Sequence, residues 1–292
     1  GMAGVLTAYA LQQAGLSVVV LEAGRIAGGQ TQNTTAKITS QHGLIYSRLI
    51  QSFGEETARR YAKANQDAVR AYQDLIDVQG ISCDWEERCA YLYGPDVTVL
   101  QEEAEAARRL GLPASFTREV SIPIPHDGAV RFEGQAQFHP LKFLKVLADQ
   151  LTIYEQSRVL TAEGDLLTTE LGSVQAEHIV FACHFPFVNF PGMYFARMHQ
   201  ERSYVLALQG APPVDGMFLG VGRDTFSLRT YGELLLLGGG GHRTGENTEG
   251  GQYDLLRRKA REWFPQSQET AHWSAQDCMP PDHVPYIGPY SS

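Results

Sequence analysis

Two glycines three residues apart, Gly1 and Gly4, open a run with helical spacing in which Val5, Ala8, Tyr9 and Leu11 share one side. Gly15 stands where a helix C-terminal glycine belongs, an apolar strand-like run covers 17–21, and Glu22 follows it directly. These residue types suit one task. Without a Cβ, Gly1 lets the backbone approach a pyrophosphate, and Gly4 lets the helix pack close to a sheet. The helix N-terminus offers unpaired N–H groups and partial positive charge to phosphates. A carboxylate roughly 20 residues on can accept hydrogen bonds from both ribose hydroxyls, and it repels a 2′-phosphate, which argues against NADP. The stretch reads as the back half of a dinucleotide-binding βαβ unit; the other reading is an ordinary strand–helix–strand with incidental glycines. The strand and first glycine that normally precede such a helix are not in the sequence, so the natural chain is expected to be longer.

A loop of small and hydroxyl residues comes next. After Ala23, Gly24 and Arg25, the chain runs through a glycine-rich turn to Thr31, Asn33, Thr34, Thr35 and Ala36, and Lys37 is its first charge after Arg25. Such a loop can lie along a large flat cofactor and donate backbone and hydroxyl hydrogen bonds; a solvated turn is the alternative. Lys37 could face the cofactor, the substrate or solvent. Among the strand-like segments further on, Arg229, Tyr204, Tyr231 and His242 are the side chains able to line a reaction site. Against this, tyrosines in strands are commonly core. His42, His184 and His242 sit among small or apolar neighbours, as hydrogen-bonded core histidines do. No Ser-His-Asp order and no metal-ligand spacing emerges, so no metal is expected.

The elements that would position these residues follow from periodicity. Helical spacing covers 46–78, with Ser52 and Glu55 as a capping box around Gly54. Residues 81–93 alternate as strands do, and 98–110 form a charged amphipathic helix ended by Gly111 and Pro113, with Glu102, Glu103 and Glu105 on a solvated face. Strand character over 122–138 leads to Pro140, which starts a helix through 151. Residues 153–155, 166–170 and 173–176 read as an antiparallel meander and 178–183 as another apolar strand. The block 202–241 reads as antiparallel strands, 253–264 as a helix stopped by Pro265, and the segment from Trp273 onward as loop.

A chain of 292 residues with 43% hydrophobic and 20% charged residues can bury a full core in one large or two medium domains. The net charge of −9 disfavours a nucleic-acid or anionic-membrane partner, and no apolar run is long enough to span a bilayer. The four cysteines match no zinc or iron–sulfur pattern, and scattered thiols suit a reducing, cytoplasmic compartment.

An ordered set of segments then carries a family resemblance: 25–29 (RIAGG), 34–43 (TTAKITSQHG), 184–187 (HFPF), 201–204 (ERSY), 273–277 (WSAQD) and 285–288 (PYIG). Through these the chain resembles the D-amino-acid oxidase/glycine oxidase superfamily of FAD-dependent oxidoreductases, and the branch of it that often carries a C-terminal Rieske domain. The resemblance implies an α/β fold. A Rossmann-like doubly wound FAD domain would be built from 1–45, 138–190 and 270–292. An α+β substrate domain with a mixed, largely antiparallel sheet would be built from 46–137 and 191–269. It implies FAD as cofactor and hydride transfer from the carbon of a C–N bond to flavin N5, giving an imine that water hydrolyses. The substrate would be an amino acid or related amine, and the electron acceptor oxygen or a protein carrier. Arg229 would pair a substrate carboxylate, a task suited to a bidentate guanidinium, with a salt bridge as its alternative. Lys37 beside the flavin would stabilise reduced-flavin charge. Val159 corresponds to the residue whose backbone meets the adenine. Ala182, Cys183 and His184 stand in place of an Ala-Thr-Gly turn near the pyrophosphate, and Gly288 precedes a glycine-rich segment beneath the flavin. The sequence departs from the pattern in lacking that segment, the first strand, and the Cys-x-His and Cys-x-x-His pairs of a Rieske domain. Three other readings stay open: an NAD-linked dehydrogenase, a flavin-binding electron-transfer module, and a fragment of a longer FAD/Rieske oxidoreductase that binds nothing by itself.

Overall fold

The computed structural model describes residues 1–185, 187–190, 192–222, 225–247 and 249–289. Pro186 of the 184–187 motif and residues 290–292 of the expected FAD-domain tail lie outside the described residues. In chain order, helix α1 (Met2–Gln13) leads to β1 (Val19–Leu21), the one-turn helix α2 (Gln30–Asn33) and β2 (Lys37–Ile38). Helices α3 (Tyr46–Phe53) and α4 (Glu55–Gln79) precede β3 (Glu86–Gly94), α5 (Val97–Arg109), β4 (Ala114–Thr117), β5 (Gly128–Gln137) and α6 (Pro140–Ala148). Then come β6 (Thr152–Tyr154), β7 (Val159–Glu163), β8 (Leu166–Thr169) and β9 (Gly172–Gln175). The last group is β10 (His199–Gln209), β11 (Met217–Gly220), β12 (Phe226–Tyr231), β13 (Leu234–Arg243), α7 (Gln252–Trp263) and β14 (Gln268–Met279).

The fold is α/β. Its largest layer is a nine-stranded sheet in the order β14-β10-β13-β12-β11-β3-β5-β2, with β4 added beside β5. Among the described residues of this sheet, β11–β3 is the parallel pair and the other pairs are antiparallel. Helices α3, α4 and α5 cover the β3–β5 end, burying Tyr46, Leu49, Leu100 and Phe132. Helix α7 covers the β10–β13 end through Leu256 and Ala260. A separate, two-stranded parallel sheet joins β1 to β6, packed with α1, α4 and α6 around Val5, Tyr9, Phe138 and Phe143.

Several expectations change. The helix over 46–78 is two helices, because Gly54 takes φ 79° and ψ 162°, a left-handed conformation open to glycine. The Ser52–Glu55 capping box does not form: Gly54 is the N-cap, and Glu55 pairs with Arg59 and Arg109. Glu103 is not on a solvated face but 1% exposed, because Leu100, Glu103, Ala104 and Ala107 recur at helical spacing on the buried side of α5. Its carboxylate accepts the backbone N–H groups of Ile45, Tyr46 and Ser47 at 2.8–3.0 Å and so caps α3. The antiparallel meander is made by 159–163, 166–169 and 172–175, while Thr152–Tyr154 pairs in parallel with β1. Residues 178–183 form no strand. The segment from Trp273 is not loop: Gln268–Met279 pairs along its length with β10, and the two prolines that follow end it.

Candidate functional site

The N-terminal unit assembles as its residue types require. Helix α1 has no side-chain cap, so its first N–H groups are open except that Met2 N donates to Thr31 Oγ1 at 3.0 Å. Glu22 Oε1 accepts the N–H of Gly24 at 2.9 Å, which fixes the carboxylate and turns Oε2 toward Gly1 N, 3.5 Å away. A Cβ on Gly1 would come within 3.3 Å of Thr31 Oγ1, and one on Gly4 within 3.4 Å of Ala182 Cβ. Gly1, Gly4, Glu22, Thr31 and Ala182 therefore converge on one end of α1.

The neighbouring chain closes around this point. Gln156 N donates to Gly24 O and Ser157 N to Glu22 O, both at 2.9 Å, and β7 begins two residues later at Val159. Ile26 N donates to Glu155 Oε1 at 2.7 Å, and Arg25 is exposed next to it. Cys183 and His184 follow Ala182 in an exposed bend where His184 takes φ 65°, a conformation that ordinarily selects glycine. Gly288 lies in the exposed tail with open space around it.

From α2 the loop passes under the large sheet. Trp273 Nε1 donates to Asn33 O at 2.8 Å, and Gln276 N donates to Gln30 Oε1 at 2.8 Å, so β14 anchors the loop. Ala36 N donates to Thr34 Oγ1, and Lys37 Nζ to Thr35 Oγ1 at 3.3 Å. Between them Ala36 holds φ 53°, an unfavourable conformation for a side chain with a Cβ, and such strain concentrates at functional sites.

The sheet curls so that β5 reaches β12 across the two strands between them. Lys37 in β2 pairs across with Gln137 in β5, and Gln137 Nε2 reaches Thr230 O in β12 at 2.7 Å. The residue before Thr230 is Arg229. It is 4% exposed, and its Nε and Nη1 have no hydrogen-bond partner among the described residues. Its guanidinium lies 5.6 Å from the Tyr231 ring centroid, and Tyr231 Oη donates to Asp84 Oδ2 at 2.8 Å. Burial lowers the Arg229 guanidinium to about 10, against the opposing pull of Glu86 and Tyr231. Burial and the charge of Arg229 lower the Lys37 ammonium to about 7. Two cations share one desolvated space, and two buried donors of the guanidinium find no partner among the described residues. That is the electrostatics of an anion site.

The expected catalytic set divides at this sheet. Arg229 pairs with Leu236, which pairs with Ala207, so these lie on the face with Val205 and Trp273. Tyr204 is the next residue along β10 and points the other way, packing on Tyr253 of α7 at 5.0 Å and stacking on His242 at 5.8 Å. Tyr204 and His242 are thus separated from Arg229 and Lys37 by the thickness of the sheet, because alternate strand residues face opposite sides. Two residues absent from the expected set enter the site instead: Trp273, which pins the cofactor loop, and Gln137.

A glycine-opened helix, an acidic strand end and a hydroxyl-rich loop held against a mixed sheet are the parts of a dinucleotide-binding α/β protein. The chain belongs to the DAO family of FAD dependent oxidoreductases, which it matches over residues 1–292. It is 35% identical to the putative Rieske 2Fe-2S iron-sulfur protein YhfW of Bacillus subtilis, covering 100% of this chain and 61% of that one. The chain thus spans about three-fifths of that relative's length. Among solved structures, L-proline dehydrogenase from P. horikoshii superposes with a TM-score of 0.80 at 14% identity, covering 100% of this chain and 83% of that one. Glycine oxidase from Geobacillus kaustophilus superposes with a TM-score of 0.75 at 16% identity, over 99% and 83%. The cofactor of the family is FAD, and the close approach at Gly1 and Gly4 together with the fixed Glu22 carboxylate fits one. Among the described residues no helix is long and apolar enough to cross a membrane, and no cluster fit for a metal ion is found.

Proposed function

We propose that this chain oxidises the carbon–nitrogen bond of an amino acid or related amine that carries a carboxylate. The observation that carries this reading is Arg229, a buried guanidinium with two unpartnered donors. Its planar fork suits a carboxylate held by two parallel hydrogen bonds. When bound, FAD supplies the two-electron acceptor for the C–H bond beside the nitrogen.

The protein's part is binding, orientation and proton transfer. Gly1, Gly4 and the start of α1 take the pyrophosphate, and Glu22 takes the ribose. Val159 flanks the adenine, and Ala182, Cys183 and His184 close the phosphate side. Arg25, Thr31, Asn33, Thr34, Thr35, Ala36 and Gly288 would hold the rest of the cofactor. In this arrangement 1–45, 138–190 and 270–292 serve the cofactor and 46–137 and 191–269 the substrate, with β14 shared as the edge of the roof. Lys37, with its ammonium at about 7, is near half-neutral at physiological pH. Its Nζ can take the proton that a substrate ammonium must lose before its C–H bond is oxidised. A carboxylate seated on Arg229 offsets the positive charge that disfavours the Lys37 ammonium, so binding prepares Nζ to hold that proton.

The test is an anaerobic titration of the FAD-loaded protein with amino acids and amines, followed by visible absorption. Bleaching of the oxidised flavin bands by a carboxylate-bearing amine supports the reading, and persistence of the bands with every such amine overturns it. A second reading concerns only the acceptor. The relative named as a Rieske 2Fe-2S protein favours an iron–sulfur carrier over oxygen, and slow reoxidation of the bleached protein by air is the outcome that this predicts.

A further inference from the structure

Gln137 ends β5 across from Lys37 and is 3% exposed. Its Nε2 donates to Glu86 Oε2 at 3.0 Å and to Thr230 O at 2.7 Å. Both partners are acceptors only, so the amide cannot be turned the other way, and both of its N–H groups are spent. Its Oε1 is buried with no hydrogen-bond partner among the described residues. A buried carbonyl oxygen without a donor is costly, and a native structure keeps one where a ligand supplies the donor. Lys37 lies directly across from Gln137 in the β2–β5 register, and Thr230, which holds the Gln137 amide, is the neighbour of Arg229 in the chain. The space is thus bounded by an anion-seeking guanidinium and a fixed acceptor that seeks an N–H.

Resting on the carboxylate reading of Arg229, we infer that Gln137 Oε1 accepts the N–H of the substrate nitrogen, making it a specificity-determining residue of the site. The pair of groups then defines the substrate class more narrowly. It is a primary or secondary α-amino acid, whose carboxylate meets Arg229 while an N–H on the adjacent nitrogen meets Gln137. Carboxylic acids without nitrogen satisfy only half of the site, as do fully substituted amines such as betaines. Glu86 acts behind Gln137 as a positioning residue, since its carboxylate holds the amide in the orientation that presents Oε1.

The experiment is calorimetric titration of the FAD-loaded protein with the twenty common amino acids and N-methylglycine, and with the acid in which carbon replaces nitrogen in the tightest binder. The wild type is expected to prefer the amino acid. Gln137→Met, close in volume, should weaken the amino acid at least tenfold and leave the nitrogen-free acid within twofold. Glu86→Gln keeps an acceptor for the Gln137 amide and should retain the preference; its melting curve beside that of Gln137→Met shows whether each variant folds. Equal weakening of both ligands by both variants, or no change in either, overturns the role of Gln137. Failure of Arg229→Met to weaken the nitrogen-free acid, or absence of binding by every amino acid, overturns the carboxylate reading instead. The two failures are distinguishable because one concerns the difference between ligands and the other their shared carboxylate.

Discussion

Two buried charges sit in the same molecule and do opposite things. Glu103 is 1% exposed and Arg229 4% exposed, so burial does not separate them. Satisfaction does. Glu103 receives three backbone N–H groups at the start of α3, a complete helix cap built from a remote helix. Arg229 stands beside a second cation with Nε and Nη1 unpartnered. A buried charge that the protein satisfies itself holds the fold together; one that it leaves unsatisfied is kept at a cost for something that binds. The sharpest way to break this comparison is Arg229→Met. It should weaken carboxylate ligands by about 2–5 kcal/mol and raise the stability of the ligand-free protein by about 1–2 kcal/mol. Titration and chemical denaturation of the same variant read both, and a variant that is less stable and binds unchanged would make Arg229 a structural charge like Glu103.

The converse variant, Glu103→Ala, should do the reverse. It strands three N–H groups in an apolar core and should cost about 2–4 kcal/mol of stability, read from the denaturation midpoint, with ligand affinity unchanged. Lys37 sharpens the comparison through pH. Its ammonium is lowered from 10.5 to about 7 in the folded protein, so between those values the unfolded chain binds more protons than the folded one. Stability should therefore rise with pH from about 7 upward, and the full cost of the buried ammonium is present below about 7. The rise from pH 7 to 9 should be about 1–2 kcal/mol, and Lys37→Met should flatten it. Parallel melting curves of wild type and variant across that range would show that Lys37 is as well solvated as a loop lysine. Arg229, lowered only to about 10, adds to the slope above this window.

How much of this was legible in the sequence follows from which interactions are local. The helix, strand and loop of the N-terminal unit were legible: the Gly1–Gly4 spacing, the run ending at Glu22 and the hydroxyl-rich loop are contiguous in the chain. The side chains of Lys37 and Arg229 were also visible as candidates. Which residues share a space was not, because that depends on register. Tyr204 and Val205 are neighbours in the chain and lie on opposite faces, and β10 and β13 shift register between Arg202 and Tyr204. A one-residue slip moves every side chain to the other face, so no periodicity could have assigned Tyr204 and His242 to the α7 side. Gln137 carried no signal at all, since a glutamine at a strand end acquires meaning only when Glu86 and Thr230 fix its amide. Glu103 was different: its spacing from Leu100, Ala104 and Ala107 marks the buried stripe of α5, but the run of acidic neighbours obscured it.

The smallest expected effect tests the cofactor end against the substrate end. Glu22, only partly buried, divides its carboxylate between two tasks. Oε1 is spent on the N–H of Gly24, a local turn, and Oε2 faces Gly1 at the start of α1. If Oε2 serves a ribose, Glu22→Gln keeps one acceptor for the turn and exchanges the other for a neutral amide, which should weaken FAD by about 1 kcal/mol, near fivefold. Glu22→Ala removes the turn contact as well and should weaken it further. Fluorescence titration of the FAD-free protein measures both. Equal affinity for the wild type and both variants would reduce Glu22 to a turn residue of the kind that Glu103 is for α3. A graded loss would show that one carboxylate can hold the fold with one oxygen and a ligand with the other.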